Sequence, residues 1–402
     1  MIPYCPLIRG LAEDAGIIQK AVDRVLRSGQ LILGPEVEAF EREWADWVGA
    51  RYCIGVASGT DAIKIALRAC GIEPSGSNPE ENPLVLTQGN SAPATASAIQ
   101  DAGAWPYFLD VVCPGLHDDS VWNCLYGRWG IKTPAGLPDA FRFAALVPVS
   151  LYGLPNDCGE EFAEALDRQS SSQYRTSRRQ TAIVNDLCQF HNRGAWTWVN
   201  GGFGGKHPTR PTAGCFSFYP TKALGSIGDG GAIVTDSEDI AAACRELRQY
   251  GYMKPEVVGR AGWNSRLDEI QAAVLRERLR IQPRRDDHRA RLAAIYREES
   301  VRGGWSGRLV AGSHIVAGLF PRRDEAASAM ADAGVQTRIH YRIPLGEHPQ
   351  WAYTRFLETP GTARWCAETL SLPYSNWTTE AEARTAADGA GRIMVEQMGA
   401  KT

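Results

Sequence analysis

In the stretch FSFYPTKALGSIGDGG, residues 216–231, a single lysine, Lys222, follows an alternating apolar run and precedes a cluster of small residues. A lysine at an ordinary surface needs no such setting, because its stem lies over apolar neighbours while the ammonium stays in water. If residues 215–219 form a strand, Lys222 stands just past its end, with Ser217 five positions earlier and glycines downstream that let backbone crowd a bound group. An amine held there, out of bulk water, loses part of its preference for the charged form. It becomes a nucleophile for an aldehyde and afterwards a carrier of protons.

Two further groups belong with it. The run AIVND, residues 182–186, reads as a strand ending in acid, followed by Gln189 and His191. Ligands of open α/β sheets gather beyond the carboxyl ends of strands, so Asp186 stands where a carboxylate would keep a heteroaromatic nitrogen protonated; capping the next helix explains it equally well in isolation. Ser58-Gly59-Thr60-Asp61 opens a helix after the strand-like residues 52–56. Free amides, a glycine that permits close approach and two hydroxyls make a phosphate cradle, although an ordinary helix cap is the plainer reading of that stretch alone. Phosphate cradle, acid and amine, in that order, are the parts a pyridoxal phosphate site requires. GGFGGK at 201–206 is not a nucleotide P-loop, since Asn200 and His207 occupy the positions of its first glycine and its hydroxyl residue.

The elements that must position these groups are legible as periodicities. Val37, Phe40, Trp44, Trp47 and Val48 recur at helical spacing after Gly34 and Pro35, predicting a helix over 35–48. Short apolar runs at 84–86, 105–109, 143–149, 182–184, 215–219 and 232–234 alternate with helical patterns such as 61–70 and 239–250. That alternation predicts an α/β sheet with covered faces. After about Tyr250 the texture shifts to a helix over 267–279, charged connectors and short strands near 315–320 and 335–341. We expect a large domain over 1–250, including an N-terminal arm, and a smaller α+β domain over 251–402. Residues 112–139, 170–179 and 192–211 read as loops or insertions.

The chain has 402 residues, ten cysteines and a net charge of -3. Its length suits more than one core, and its charge provides no global basic field for nucleic acid, which is not expected as a partner. No C-x-x-C pair and no cationic start followed by an apolar core is present, so reduced thiols in the cytoplasm are expected. No window approaches the roughly 18 apolar residues of a membrane span, and no metal cluster is read.

The segments LILGPEVEAFEREW, VASGTDAIKIAL, LVPVSLYGLP, NDLCQFH, FSFYPTKALGSIGDGGAIVT, GWNSRLDEIQAAVL and RIHYRIPLGEHP stand in an order that resembles the DegT/DnrJ/EryC1/StrS family of pyridoxal phosphate-dependent sugar aminotransferases over nearly the whole length. The resemblance implies the fold-type I architecture, a large domain with a mixed, mostly parallel sheet flanked by helices plus a smaller C-terminal α+β domain. It implies Lys222 as the residue bonded to the cofactor aldehyde and Asp186 as the partner of the ring nitrogen. Gln189 would bond the ring hydroxyl oxygen, and Gly59, Thr60 and Ser217 would hold the phosphate. Asn264 would reach the phosphate of a neighbouring subunit, which implies a homodimer with shared active sites. Arg266, His340 and Tyr341 form a candidate substrate group, for which an edge-strand role of the last two is an equal alternative.

Lysine at 222 favours transamination, because a dehydratase branch of similar sequence carries histidine there. The implied reaction moves an amino group from a donor such as L-glutamate to a nucleotide-linked keto sugar, for a deoxyaminosugar. A keto-cyclitol acceptor is the alternative substrate, and a non-catalytic cofactor-binding regulator is the alternative of another class. Ala92 stands where the family places an aromatic side chain over the ring; either Asn90, Trp196 or Trp198 covers that face instead or the face is left for a bulkier ligand, and loop packing is the plainer reading of each tryptophan.

Overall fold

The computed structural model describes residues 1–75, 81–111, 143–156, 163–164, 167, 180–201, 210–352 and 359–399. The expected insertions at 112–139 and 170–179, and the 202–209 part of the third, lie outside the described residues.

Seven strands form the central sheet: β1 (Tyr52–Val56), β2 (Leu84–Gln88), β3 (Trp105–Leu109), β4 (Phe143–Val147), β5 (Ala182–Asp186), β6 (Thr212–Ser217) and β7 (Gly231–Thr235). Their spatial order is β1-β7-β6-β5-β4-β2-β3. Neighbours from β6 to β3 pair in parallel, whereas β7 runs antiparallel to both β1 and β6. The sheet is therefore mixed and mostly parallel, as expected. Strands β2 and β5 are buried at every position, which is why they read as continuous apolar runs rather than as alternating ones.

Two layers cover the sheet. On one face, helices Gly59–Ala69, Pro93–Asp101 and Glu238–Leu247 bury Ile63, Ile65, Ile99 and Leu247 against Val56, Val85, Val147, Val184 and Ile233. On the other, helices Pro35–Val48 and Glu269–Arg280 pack Val37, Phe40, Trp44 and Leu275 against Phe216, Phe218 and Val234. The two helices of this second layer are locked at one end. The buried Glu269 carboxylate accepts from the amides of Gly34, Glu36 and Val37 at 2.8–2.9 Å, meeting donors that the first turn of a helix leaves orphaned.

A second core follows. An antiparallel sheet of β10 (Leu309–Ala311), β11 (Val316–Leu319) and β12 (Thr369–Leu372) is covered by helices Gln282–Arg302, Arg323–Asp332 and Glu380–Gly399 around Leu292, Tyr296, Met330, Leu370 and Met394. A short hairpin, β8 (Tyr252–Lys254) with β9 (Val257–Val258), precedes it. Leu267, Ala272, Leu275 and Leu279 pack within the large lobe's cluster. We accordingly propose Ile281, between the two consecutive helices, as the junction of the lobes.

Two expectations differ from the structure. The charged stretch after residue 280 is a long helix, Gln282–Arg302, and not a connector; its Leu292, Ala293, Ile295 and Tyr296 are buried in the core it shares with Glu380–Gly399. Residues 335–341 form no strand but only two single bridges, Ile2 with Val335 and Arg338 with Ser371. Beyond Arg338 the chain leaves the sheet and carries His340 and Tyr341 toward the large lobe. Among the described residues, no helix is long and apolar enough to cross a membrane.

Candidate active site

The carboxyl ends of β5 and β6 meet the start of helix Gly59–Ala69. Ser58 caps that helix, its hydroxyl accepting from the Asp61 amide at 3.1 Å, and the amides of Gly59 and Thr60 have no acceptor among the described residues. A Cβ on Gly59 would lie 2.6 Å from the Cβ of Ser217 and 2.8 Å from Cys188 Sγ, so glycine is what allows this helix end to close on β6. Asp61 would repel an anion at this place. Its charge is instead absorbed by Lys64 Nζ at 2.6 Å and by the Ser265 hydroxyl, which donates at 2.7 Å and itself accepts from the Ala57 amide at 3.2 Å.

Asp186 is buried at the end of β5. One carboxylate oxygen accepts the Thr95 hydroxyl at 2.9 Å and the other accepts the Cys188 amide at 3.1 Å. With the Thr95 proton directed at Asp186, Ser91 is the donor in the 2.9 Å contact between the two hydroxyls. All these partners are neutral, and no cation pairs with Asp186 among the described residues, which leaves lone pairs for a protonated ligand atom. Lys222 follows a turn closed by its own amide on the Tyr219 carbonyl at 2.9 Å, and its side chain is half-buried. Desolvation pulls the amine below the ordinary lysine range, against the opposing influence of Cys188 and Asp186. Burial pushes the Cys188 thiol well up, so it stays neutral beside them.

Gln189 is held at both ends. Its carbonyl oxygen accepts from the Tyr152 amide at 2.7 Å and its NH2 donates to the Tyr341 hydroxyl at 3.2 Å. His340 Nδ1 meets Ser371 Oγ at 2.8 Å, and burial followed by the Lys222 charge lowers the imidazole to about 4. His191 Nδ1 accepts from the Leu224 amide at 3.2 Å, which assigns its proton to Nε2. Burial first, then Lys222 and Arg289, hold that ring down to about 3, so it is a neutral strut for the loop two residues beyond Lys222.

The structure thus brings Gly59, Thr60, Asp186, Gln189, Ser217, Lys222, His340 and Tyr341 together where the two lobes meet. Asn264 and Arg266 stand apart. Asn264 is exposed, and Arg266 lies 6.0 Å over the Tyr250 ring without a hydrogen bond or ion pair to the groups just named. Ala92 precedes helix Pro93–Asp101, and Asn90 is buried with its side-chain oxygen unpartnered. Trp196 does not cover a ligand: it is buried in the second layer, against Gly214, with its indole donating to Asp236 at 3.0 Å. Trp198 is a surface side chain at 39% exposure.

Sequence reasoning missed Thr95, Cys188, Tyr152, Arg289 and Asn376. Tyr152 carried the one available signal, since it precedes Gly153 in a short turn where a positive φ is common. It adopts φ 61° and ψ 8°, a left-handed conformation rare for an aromatic residue and worth about 1–3 kcal/mol of strain. Thr95, Arg289 and Asn376 are joined to the site only by folding, whereas Cys188 lies two residues beyond Asp186.

These residues fit pyridoxal phosphate on structural grounds. A glycine-shaped gap with free amides and a neighbouring hydroxyl suits a phosphate, an unpaired buried carboxylate suits a protonated ring nitrogen, and an amine with lowered basicity suits an aldehyde.

Comparison with known proteins points the same way. The DegT/DnrJ/EryC1/StrS aminotransferase family matches residues 13–125 and 141–389. The UDP-2-acetamido-2-deoxy-3-oxo-D-glucuronate aminotransferase of Pseudomonas aeruginosa is 33% identical over 381 residues, 93% of this chain and 95% of that one. The dTDP-3-amino-3,4,6-trideoxy-alpha-D-glucose transaminase of Streptomyces venezuelae is 33% identical over 381 residues, 92% of this chain and 90% of that one. The crystal structure of S. venezuelae DesV in complex with a ketimine intermediate superposes with a TM-score of 0.77 at 30% identity, covering 97% of this chain and 98% of that one.

Proposed function

The chain belongs to the DegT/DnrJ/EryC1/StrS aminotransferase family and is a pyridoxal phosphate-dependent aminotransferase, and from that premise we propose that it passes an amino group from L-glutamate to the keto group of a nucleotide-linked sugar. The observation that carries this reading is the pairing of Lys222, its amine lowered by burial and without an ion pair among the described residues, with a buried Asp186 whose hydrogen-bond donors among those residues are neutral.

Bound pyridoxal phosphate supplies an aldehyde that exchanges amino groups and a ring that withdraws electrons from the reacting carbon. The amides of Gly59 and Thr60 and the Ser217 hydroxyl hold its phosphate at the helix start. Asp186 keeps the ring nitrogen protonated, and Thr95 and the Cys188 amide hold that carboxylate in place. The Gln189 NH2 meets the ring oxygen. Lys222 would be the amine that faces the aldehyde and the group that holds or moves the proton at the substrate's reacting carbon; its lowered basicity would suit both tasks. His340 and Tyr341 border the substrate end, with the neutral His340 ring offering hydrogen bonds without charge. Asn264 would reach the phosphate of a second copy of the chain and Arg266 a donor or substrate carboxylate, so that the working unit would be a homodimer; a cytoplasmic location is part of the same reading. The names of the two curated relatives, both aminotransferases of nucleotide-linked sugars, support this acceptor class, with a deoxyaminosugar as product.

The test joins trapping and turnover. Borohydride reduction of the cofactor-loaded protein followed by peptide mapping should place the label on Lys222, and Lys222→Ala should carry none. Glutamate should bleach the visible band of the wild type, and a panel of nucleotide-linked keto sugars and keto-inositols should restore it only with the former. A label elsewhere removes the assignment of Lys222; restoration by keto-inositols alone replaces the acceptor.

A further inference from the structure

Tyr152 lies one turn beyond β4, and each of its polar atoms, the amide, the carbonyl and the phenol, is engaged. Its phenol donates to the His340 carbonyl, accepts from Trp365 Nε1 at 2.9 Å and meets Thr369 Oγ1 at 3.3 Å. Its ring stacks on Trp365 at a centroid distance of 5.9 Å. Its carbonyl accepts from the amides of His314 and Ile315 at 3.0 and 3.1 Å. All five of these residues belong to the C-terminal lobe. Its amide points the other way, to the carboxamide oxygen of Gln189 at 2.7 Å, on the large lobe.

The direction of that amide follows from the unusual backbone. At φ 61° the residue turns the chain back so that the ring faces one lobe and the N–H the other; a right-handed conformation would turn the N–H away from Gln189. A carboxamide can sit in either of two flips, presenting oxygen or NH2 to a ligand. With its oxygen taken by the Tyr152 amide, Gln189 has one flip left, in which NH2 gives one hydrogen to Tyr341 and the other has no acceptor among the described residues.

We propose that Tyr152 is a positioning residue acting through Gln189: its phenol, anchored on the C-terminal lobe, holds the backbone amide that fixes which end of the Gln189 carboxamide meets the ligand. This rests on the cofactor reading above and extends it to a residue outside the site itself. A donor on the ring oxygen stabilises negative charge there. When the donor is lost or inverted, the lysine nitrogen bonded to the cofactor holds its proton more tightly, and the pH at which the visible band changes moves up.

The experiment is a spectral pH titration of the cofactor-loaded protein without substrate. Tyr152→Phe, which keeps the ring and removes the phenol, should raise the midpoint by roughly one unit, the scale of one hydrogen bond to a charged group, and speed cofactor loss severalfold. Gln189→Leu should raise it similarly, and adding Tyr152→Phe to Gln189→Leu should raise it no further, which separates action through Gln189 from general loosening. Trp365→Phe, which removes a single phenol partner and keeps the stack, should shift it the same way by less, and serves in place of Tyr152→Phe should that variant not fold. An unchanged midpoint in the folded variants, or additive shifts in the double variant, overturns the proposal. Absence of any visible band in the wild type with ample cofactor would instead overturn the cofactor reading itself.

Discussion

Asn376, in the C-terminal lobe, donates its side-chain amide at 2.9 Å to the carbonyl of Ala223, the residue next to Lys222. The other end of that side chain accepts from Arg289 Nη1 at 3.3 Å, and Arg289 is a buried cation held by the Ser313 and His314 carbonyls and stacked 4.5 Å over Tyr374. The C-terminal lobe therefore grips the loop that carries Lys222.

Asn376→Ala should release that grip. We expect the transamination rate to fall about tenfold, equivalent to roughly 1.4 kcal/mol of misplaced geometry, while the site of borohydride labelling stays Lys222. Single-turnover kinetics alongside thermal melts check it. A lowered melting temperature with an unchanged single-turnover rate would mean that the contact ties the lobes together without serving the lysine.

His191 makes stability depend on acidity. Its folded value, about 3, lies below its ordinary value near 6.5, so between those two the unfolded chain binds a proton that the folded one refuses. Stability is full above about pH 6.5 and falls as the pH drops, by about 2 kcal/mol at pH 5 from this group alone. His340, lowered to about 4, adds in the same direction. Denaturant melts between pH 5 and pH 7.5 should show the decline, and His191→Asn, which retains an acceptor for the Leu224 amide, should flatten it. A wild-type stability that does not change over this range would contradict the buried neutral ring.

Gly59→Ala tests the phosphate cradle by space alone. The added carbon meets Ser217 Cβ and Cys188 Sγ inside 3.0 Å, and the Ser217 backbone at 3.2 Å leaves little room to yield. Cofactor affinity should fall at least tenfold, with a stability cost of about 1–3 kcal/mol. Spectral titration of the apo-protein measures the first and denaturant melts the second. Adding Cys188→Ala should restore part of both, since it removes one of the two obstructing atoms; no loss of affinity in Gly59→Ala would show that the ligand phosphate does not lie there.

By itself the sequence determined the layered α/β architecture, because fully buried parallel strands such as β2 and β5 must be continuous apolar runs and the helices between them must carry apolar stripes. It also singled out Lys222, Asp186, Gln189 and the Ser58–Thr60 turn, since each lies within a few residues of a strand end or helix start where local pattern speaks. The tertiary structure alone decided what surrounds them. Thr95 reaches Asp186 across 91 positions, Tyr152 reaches Trp365 across 213, and Asn376 reaches Ala223 across 153, separations at which no periodicity couples one residue to another. It likewise turned the charged stretch 282–302 into a helix and moved Trp196 into the core, because burial depends on which faces meet, and that is settled only when the layers within each lobe pack together.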